Sequence, residues 1–404
     1  MVGGVSLTAL ADEFGTPLFV YDEETVRTRC REAMSIFDDV AFASKSFLCG
    51  AIARLVVDEG LRIDVATEGE LDLVRRSGVD ASSIVMHGNN KSASELVRAI
   101  DEGVHRLVVD NFDEIDRLSS LADRSRPLRC LLRVVPGVEA HTHEFVRTGQ
   151  EDTKFGLSIR RGDAERAVQR LRGMPGVELV GVHAHVGSQI FELDAYDATL
   201  EVLGRFVAAR DLSEVCVGGG LGVAYVTGEG APTLSQWGRA VREAATRHLP
   251  AGTTVSVEPG RAIVAQAAVT IYRVGARKTV DARTYLAVDG GMSDNPRPVL
   301  YGSGYEAFAL SAPRARRDGL FRVVGKHCES GDVLIDEASL PASVGVDDLI
   351  VTPVTGAYGY SMASNYNRVP RPAVVFVRDQ RARVVLRRET LDDLVALEVP
   401  PLSS

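Results

Sequence analysis

Lys45 is the residue whose type and position most directly suggest chemistry in this sequence. It follows the apolar run from Val40 to Ser44, which is typical of a buried strand that ends at the lysine. At a strand end, partial desolvation lowers the pKa of an amine and makes it nucleophilic, as an imine-forming lysine requires. A solvated lysine at the rim of a fold explains the same position, and for a lysine considered alone this is the commoner case.

Two further motifs contain groups that could bind an anion or carry a charge. The run Gly218-Gly219-Gly220-Leu221-Gly222 exposes backbone N–H groups suited to a phosphate, although a tight turn explains a glycine run equally well. The segment Glu258-Pro259-Gly260-Arg261 contains a carboxylate and a guanidinium, and this combination is more often a structural ion pair than a catalytic site.

His183 and His185 alternate along another apolar run, so we expect them to face opposite ways. Only one of them can then point into a site, and a buried, hydrogen-bonded histidine is the expectation for the other. This spacing argues against a pair of metal ligands, and we predict no metal site.

Three polar segments occur in the last third of the chain. They are Asp289–Arg297, Cys328–Asp332 and Gly356–Tyr360. Each is typical of a turn when considered in isolation, and loops of this kind carry function less often than they merely connect strands.

The elements that must position these residues follow a regular pattern. Eight short apolar runs alternate with amphipathic stretches such as 94–100, at 40–44, 61–65, 84–86, 107–109, 131–135, 179–182, 215–217 and 253–257. This alternation predicts an eight-stranded parallel β/α barrel, in which active sites lie at the C-terminal ends of the strands. Lys45, the histidines, the glycine run and Glu258 all follow such ends.

The pattern changes after Arg261. Short β-rich runs at 269–272, 285–288, 348–351, 373–377 and 384–386 predict a second, mostly β domain of sandwich or barrel type. We expect the barrel over 24–267, and the β-rich domain over 1–23 and 268–404 with the predicted strand Pro17–Tyr21 paired into it. A polar stretch from about His141 to Lys154 has the length of a lid, and an exposed surface loop explains it equally well.

Composition excludes several classes of protein. The chain has 404 residues and a net charge of −9 without basic runs, so we expect no nucleic-acid partner. Its apolar stretches have the length of strands, its N-terminus lacks a signal-like core, and we expect no membrane segment. The five cysteines are scattered without CxxC spacing, which indicates reduced thiols and a cytoplasmic protein.

Six motifs in order along nearly the whole chain resemble the diaminopimelate decarboxylase family of pyridoxal-phosphate enzymes, which has the alanine racemase/ornithine decarboxylase fold. They are Ala43-Ser44-Lys45, His185–Gln189, Gly218–Gly220, Glu258–Arg261, Cys328–Asp332 and Gly356–Tyr360, and segments such as His87-Gly88-Asn89-Asn90-Lys91 extend the likeness. Ser46, Phe47 and Gly302–Tyr305 depart from the usual family pattern.

The resemblance implies a site for pyridoxal 5'-phosphate. Lys45 would form the internal aldimine with the cofactor, and His185 would stack on the pyridine ring. The residues implied to hold the phosphate are Ser188, Gly219, Gly220, the segment Pro259-Gly260-Arg261 and Tyr358. Asp64 and Arg133 would tune or orient the cofactor.

The resemblance also implies the type of reaction. Glu258 against the ring nitrogen would keep that nitrogen protonated, which favours decarboxylation through a quinonoid over racemisation. Cys328 would protonate the resulting carbanion. In the family, Cys328 and Glu329 come from the partner subunit, which implies a homodimer with shared active sites.

The substrate implied by the family has an amino-carboxylate at both ends. Arg297, with Arg261, Tyr301 and Tyr358, would suit a distal carboxylate by bidentate pairing, and Glu329 would take the distal ammonium. The resemblance therefore implies decarboxylation of meso-2,6-diaminopimelate to L-lysine, the last step of lysine biosynthesis. A decarboxylase of a related amino acid in specialised metabolism is the alternative among enzymes. Retention of Lys45, Glu258 and Cys328 argues against an inactive binding protein.

Overall fold

The computed structural model describes residues 1–121, 127–138 and 154–399. Apart from Lys154, the polar stretch from about His141 to Lys154 lies outside the described residues. Among those described, no helix is long and apolar enough to cross a membrane.

The strands are numbered in chain order. They are β1 (Leu18–Asp22), β2 (Asp39–Ala43), β3 (Arg62–Val65), β4 (Ile84–Met86), β5 (Arg106–Val109), β6 (Leu128–Val135), β7 (Leu157–Ser158), β8 (Val177–His183), β9 (Glu214–Cys216), β10 (Thr254–Val257), β11 (Ala268–Val280), β12 (Arg283–Val288), β13 (Phe308–Ala309), β14 (Gly319–Val324), β15 (Val333–Leu340), β16 (Leu349–Pro353), β17 (Ala373–Arg378) and β18 (Arg381–Leu386).

The α-helices are numbered in the same way. They are α1 (Leu7–Phe14), α2 (Glu23–Ile36), α3 (Gly50–Asp58), α4 (Glu68–Arg76), α5 (Ala93–Glu102), α6 (Phe112–Leu121), α7 (Asp163–Arg172), α8 (Asp194–Ala208), α9 (Leu234–His248), α10 (Arg261–Val264), α11 (Arg297–Tyr301) and α12 (Leu391–Val395).

Eight parallel strands form a closed barrel in the order β2, β3, β4, β5, β6, β8, β9, β10, with β10 paired to β2. Each contains or overlaps one of the eight predicted apolar runs, so the predicted barrel is confirmed. Small and branched side chains from six of the strands form a buried cluster: Ala41, Val85, Val108, Leu131, Val180 and Cys216. Because side chains fill the interior of the barrel, catalytic groups are expected at the ends of its strands.

The helices between the strands are amphipathic, as α5 illustrates. Ser92 caps its N-terminus in a capping box with Glu95, and Gly103 ends it in the left-handed conformation. Its buried side chains are Leu96, Ala99 and Ile100, at the spacing that brings residues to one face of a helix.

The remaining sheet has nine strands, with the path β15-β14-β12-β11-β1-β17-β18 and with β16 joining β11 to β13. The predicted N-terminal strand is confirmed: β1 pairs antiparallel with β11 and parallel with β17. Strands β14 and β15 were not among the predicted runs, because Arg322 and the pair Asp336-Glu337 interrupt their apolar residues.

The chain divides into two compact units. The barrel unit contains Arg27–Val223 and Gly230–Ile263, and the β-rich unit contains Met1–Val26, Ala224–Glu229 and Val264–Ser404. The sequence-based limits lie within a few residues of these, but they did not separate Ala224–Glu229 from the barrel. That loop belongs with the β-rich unit because Thr227 N–H donates to Glu306 Oε1 at 3.2 Å and its hydroxyl to Oε2 at 3.1 Å.

Candidate active site

The charged residues of the barrel unit gather where the parallel strands end. Lys45 lies in a 3-10 turn after β2, and His87 follows β4. His185, Gly218 and Glu258 follow β8, β9 and β10. Asp64 and Arg133 lie within the last three residues of β3 and β6. This is the edge of a β/α barrel at which catalytic residues are found.

Lys45 is an exposed residue, and the partial desolvation expected of its amine stays a prediction. The strand ends at Ala43, and the 3-10 turn that follows carries the side chain outward while Ser44 and Ser46 are buried. Its positive charge nevertheless acts on two groups of the cluster, Asp64 and His185. The amine therefore belongs electrostatically to the group of charges at the barrel mouth.

Glu258 is the centre of that group. Its Oε1 lies 2.8 Å from His87 Nε2, its Oε2 lies 2.8 Å from His183 Nε2, and the carboxylate is buried. Burial alone would raise the pKa of Glu258, but the two histidines hold it well below its ordinary value. Glu258 is therefore an anion in a closed environment, held through hydrogen bonds to both oxygens.

His183 and His185 both join this cluster, so the prediction that only one faces the site was wrong. Strand β8 ends at His183, and the alternation of side chains stops there, which frees His185 to turn inward. His183 is the buried, hydrogen-bonded histidine that was expected.

His185 is held as a neutral ring. Burial, followed by the charges of Lys45 and Arg133, keeps the pKa of His185 well below its ordinary value. Its Nδ1 accepts a hydrogen bond from Gly219 N–H at 3.3 Å, so the proton lies on Nε2. A neutral imidazole fixed in this way has a flat face suited to stacking on an aromatic ring.

The glycine run after β9 forms a cradle that side chains would fill. A Cβ at Gly219 would lie 2.3 Å from Glu258 O, and one at Gly220, where φ is +102°, would lie 2.3 Å from Gly187 O. The loop that contains Ser188 therefore packs directly on the glycines. No hydrogen bond joins the Gly220 N–H or the Ser188 hydroxyl to another described residue, so both donors can serve an anion.

The segment after β10 closes against the Lys45 turn. Ala43 N–H donates to Pro259 O at 3.3 Å, and a Cβ at Gly260 would lie 2.9 Å from the Ser46 hydroxyl oxygen. Arg261 begins α10. Glu258 and Arg261 are thus brought beside the lysine by one tight turn.

Asp64 and Arg133 complete the barrel side of the site. Burial raises the pKa of Asp64 to about 6, with His87, Glu258 and Lys45 as its charged neighbours. Arg133 Nη1 lies 3.8 Å from Asp110 Oδ2, and its guanidinium lies 4.3 Å above the centre of the Phe155 ring. Both predicted residues therefore lie among the charges that surround Glu258.

Three predicted substrate residues meet within the β-rich unit. Arg297 begins α11 and is buried, and its Nη2 donates to the Ser303 hydroxyl at 2.9 Å. The guanidinium lies 5.9 Å from the ring centres of both Tyr301 and Tyr358. Its Nε is buried and has no hydrogen-bond partner among the described residues. A buried guanidinium with an unused donor is suited to bind an anion.

Cys328 and Glu329 lie in the turn between β14 and β15, as their turn-like sequence predicted. Both are exposed, and Cys328 N–H donates to Asn367 Oδ1 at 3.1 Å. Among the described residues, Glu329 Oε1 accepts only from Ser330 and Gly331 of its own turn. Within the described part of the β-rich unit, no hydrogen bond or ion pair joins either residue to Arg297.

Sequence reasoning assigned no role to His87, Asp110 or Lys91. His87 and Lys91 belong to a segment that contributes to the family likeness, but nothing in their local pattern points to Glu258, which is 171 residues from His87 in sequence. The ligand atoms of His87, His183 and Glu258 lie within 4.8 Å of one another, so the set could hold a metal ion. The hydrogen bonds to Glu258 use these same nitrogens, and the absence of a metal stays a prediction.

Comparison with known proteins gives a consistent result. Residues 23–265 match the family model described as the pyridoxal binding domain of pyridoxal-dependent decarboxylases. A diaminopimelate decarboxylase of Actinosynnema pretiosum is 47% identical over 99% of this chain and 92% of its own length. That of Mycobacterium tuberculosis H37Rv is 43% identical over 98% of this chain and 94% of its own.

A solved structure agrees with these relatives. The crystal structure of diaminopimelate decarboxylase from M. jannaschii in complex with L-lysine superimposes with a TM-score of 0.90 at 28% identity, covering 99% of both chains. The barrel, the Lys45 and Glu258 segments and these matches lead to one conclusion: the chain belongs to the pyridoxal-dependent decarboxylases, in the diaminopimelate decarboxylase family.

Proposed function

We propose that this protein decarboxylates meso-2,6-diaminopimelate to L-lysine and CO2, the last step of lysine biosynthesis, with pyridoxal 5'-phosphate as cofactor. The observation that carries the proposal is the buried Glu258 at the mouth of the barrel, with both of its oxygens hydrogen-bonded, beside Lys45 and the ring of His185. Relatives that are 42–47% identical over nearly the whole chain are named diaminopimelate decarboxylases, which supports this substrate over the related amino acids.

The residues present fit the cofactor. The Gly219-Gly220 cradle and the Ser188 hydroxyl offer donors that suit a phosphate, and a side chain at either glycine would clash with backbone. The segment 259–261 and Tyr358 would add to phosphate binding, and Lys45 would supply the amine that carries the cofactor. When bound, pyridoxal phosphate supplies an electron sink for the pair left behind as CO2 departs.

Glu258 would govern the proton on the ring nitrogen. Because its pKa is held well below the ordinary range, the carboxylate is an acceptor only and would receive a hydrogen bond from a protonated ring nitrogen. A proton held at that atom favours loss of CO2. His185 would stack on the ring face and exclude water from it, and Asp64 and Arg133 would orient the ring.

Arg297 would select the substrate through its distal carboxylate. A guanidinium binds a carboxylate through two parallel hydrogen bonds, which a point charge cannot reproduce. The unused Nε donor and the nearby Tyr301 and Tyr358 support this assignment. Arg261 would assist, and Glu329 would take the distal ammonium.

We further propose that the active enzyme is a homodimer whose sites are shared. Cys328 and Glu329 are exposed on the turn between β14 and β15, where a second copy of the chain can use them. The thiol of Cys328 would deliver the proton to the α-carbon after CO2 leaves. Glu329 would bind the substrate in the partner's site.

A cytoplasmic location is also proposed. All five cysteines are free, and four of them are buried. Free thiols of this kind persist in reducing compartments.

One assay tests the proposed activity. Purified protein loaded with pyridoxal phosphate is incubated in parallel with meso-diaminopimelate, L-lysine, L-ornithine and L-arginine, and released CO2 is measured. We expect CO2 from meso-diaminopimelate with an equal amount of L-lysine, and far less from the other three. A preference for lysine or ornithine would show that the proposed substrate is wrong and that the protein is still a decarboxylase. No CO2 from any of them would overturn the activity.

A further inference from the structure

Glu258 is held by two histidines that the proposed function does not use. The rings of His87 and His183 lie 4.9 Å apart between their centres, at an angle of 71°. Each directs its Nε2 to a different oxygen of the carboxylate, at 2.8 Å in both cases. We call this group of three, His87, Glu258 and His183, the histidine clamp. Each carboxylate oxygen has a second lone pair, which remains for another donor.

The surroundings of His183 show where its proton lies. Its Nδ1 is buried and has no hydrogen-bond partner among the described residues. A proton on Nδ1 would be a buried, unpaired donor, which is costly. Burial accordingly lowers the pKa of His183 to about 4. His183 is therefore a neutral ring that donates to Glu258 through Nε2.

His87 is the member of the clamp that can carry a charge. The charged groups that face it are Glu258, Asp64 on β3 and Arg133 on β6, besides the ring of His183. Burial acts against its protonation, but the carboxylates of Glu258 and Asp64 raise the pKa of His87 above its ordinary value. The two histidines thus differ in charge although their bonds to Glu258 are alike.

Hydrogen bonds from Lys91 and Asn111 fix the loop that contains His87. Lys91 Nζ donates to Gly88 O at 2.7 Å and to Val108 O at 2.8 Å, and the Asn111 amide donates to Asn89 O at 2.9 Å. At Gly88, φ is +124° and a Cβ would lie 3.0 Å from Ala66 O. The backbone that presents His87 to Glu258 is therefore built into the barrel.

We propose that His87 and His183 are positioning residues that fix both oxygens of Glu258, keep the carboxylate ionised and aim its free lone pairs at the cofactor's ring nitrogen. A charged His87 then moderates how strongly Glu258 holds the proton on that nitrogen. The aim at the ring nitrogen and the effect of His87 on its proton rest on the proposed function, because they require pyridoxal phosphate at this site. The two hydrogen bonds to Glu258 and its ionised state concern only residues of this chain.

The first measurement uses the full-length chain without cofactor. Histidine labelled with ¹³C at Cε1 gives resonances from eight residues, and His87→Gln identifies that of His87. We expect this resonance to titrate above 6.5, the ordinary value for histidine, and to move to lower pH in Glu258→Gln, because a negative charge is lost. A His87 that titrates below 6.5, or that does not respond to Glu258→Gln, overturns the proposal.

The second measurement uses the loaded enzyme and matched pairs of variants. Glutamine can place an amide N–H near the position of Nε2, whereas phenylalanine keeps a ring without a donor. We expect His87→Phe and His183→Phe to lower kcat for meso-diaminopimelate on the order of 10- to 100-fold with KM nearly unchanged. The glutamine variants should keep most of the wild-type kcat. We expect the absorption of the bound cofactor to change with pH as His87 titrates, and this change should be absent in His87→Gln.

The outcomes separate the two proposals. If the wild type releases no CO2 but the titration of His87 depends on Glu258, the activity is wrong and the clamp stands. If the wild type is active and all four variants keep wild-type kcat and absorption, the positioning role is wrong and the activity stands. Should a phenylalanine variant fail to fold, the glutamine variants and the titration still decide.

Discussion

Arg297 is the residue that we propose to select the substrate. Its guanidinium is buried against Tyr225, at 4.7 Å from the ring centre, and Ser303 accepts from only one of its nitrogens. The buried Nε is left without a partner among the described residues. Buried polar groups are nearly always satisfied, so an unused donor here indicates an anionic ligand.

Replacement of Arg297 tests this assignment. A bidentate contact in a partly desolvated site contributes on the order of 2–4 kcal/mol. Arg297→Ala should therefore lower kcat/KM for meso-diaminopimelate roughly 30- to 1000-fold, measured by steady-state kinetics. Arg297→Lys keeps the positive charge but lacks the two parallel N–H donors of the guanidinium. Its kcat/KM should therefore lie between those of Arg297→Ala and the wild type.

Two controls accompany this variant. Exposed Arg283 in the same unit provides the matched change, and Arg283→Ala should leave the kinetics unchanged. The absorption of the bound cofactor should stay intact in Arg297→Ala, because Arg297 is not assigned to the cofactor. Near-normal turnover of diaminopimelate would mean that the distal carboxylate is bound elsewhere.

For single residues, the sequence predicts which side chains belong to the candidate site better than it predicts their surroundings. Lys45 and Glu258 could be selected from strand ends and motifs, but the exposure of Lys45 depends on a 3-10 turn that the apolar run does not reveal. His87 follows the third strand of the barrel, β4, whereas Glu258 follows the last, β10, 171 residues later in sequence. Only the closure of the barrel brings them together.

Among the elements, the loop from β4 to α5 is held by a buried ion pair. Lys91 and Glu114 are both almost fully buried, and their Nζ and Oε1 atoms lie 2.8 Å apart. Glu114 Oε2 also accepts from Asp110 N–H at 3.0 Å. Lys91 Nζ also donates to two backbone carbonyls, Gly88 O and Val108 O. This pair therefore ties the loop that carries His87 to β5 and α6.

Lys91→Met should destabilise the barrel unit by about 3–5 kcal/mol, because it leaves a buried carboxylate without its partner. Burial already raises the pKa of Glu114, and Lys91 opposes that rise. Without Lys91 the folded protein would bind a proton there more tightly than the unfolded chain does, so its stability should fall as pH rises. The loss in Lys91→Met should thus be larger at high pH than at low pH.

Urea unfolding followed by the fluorescence of Trp237 measures this effect, since the only tryptophan is buried in α9 of the barrel unit. Exposed Lys278→Met is the control and should change little. The double variant Lys91→Met/Glu114→Leu should recover part of the stability. Equal stability of Lys91→Met and wild type at high pH would contradict the role given to the pair.

For the whole molecule, the barrel was predictable because each of its eight strands carries buried apolar residues in a short run between amphipathic helices. The β-rich unit was predictable in class only. Its strands β14 and β15 carry charges, and its loop 224–229 lies in sequence within the barrel. Contacts between distant segments determine such features, and no local pattern encodes them.

The shared-site dimer is tested by mixing two inactive variants. Lys45→Ala and Cys328→Ala subunits are exchanged, and CO2 release is compared with that of each variant alone. If sites are shared, half of the dimers are hybrids with one intact site each, and about a quarter of wild-type activity should return. No recovery after verified subunit exchange would mean that each site is built within one chain.

The central claim is that the cluster around Lys45 at the barrel mouth holds the cofactor, and one measurement tests it most directly. Protein loaded with pyridoxal phosphate is reduced with borohydride, digested and mapped by mass spectrometry. We predict a pyridoxyl group on Lys45 alone, and none in Lys45→Ala. A label on Lys91, Lys154, Lys278 or Lys326, or a reducible cofactor that persists in Lys45→Ala, would contradict the account.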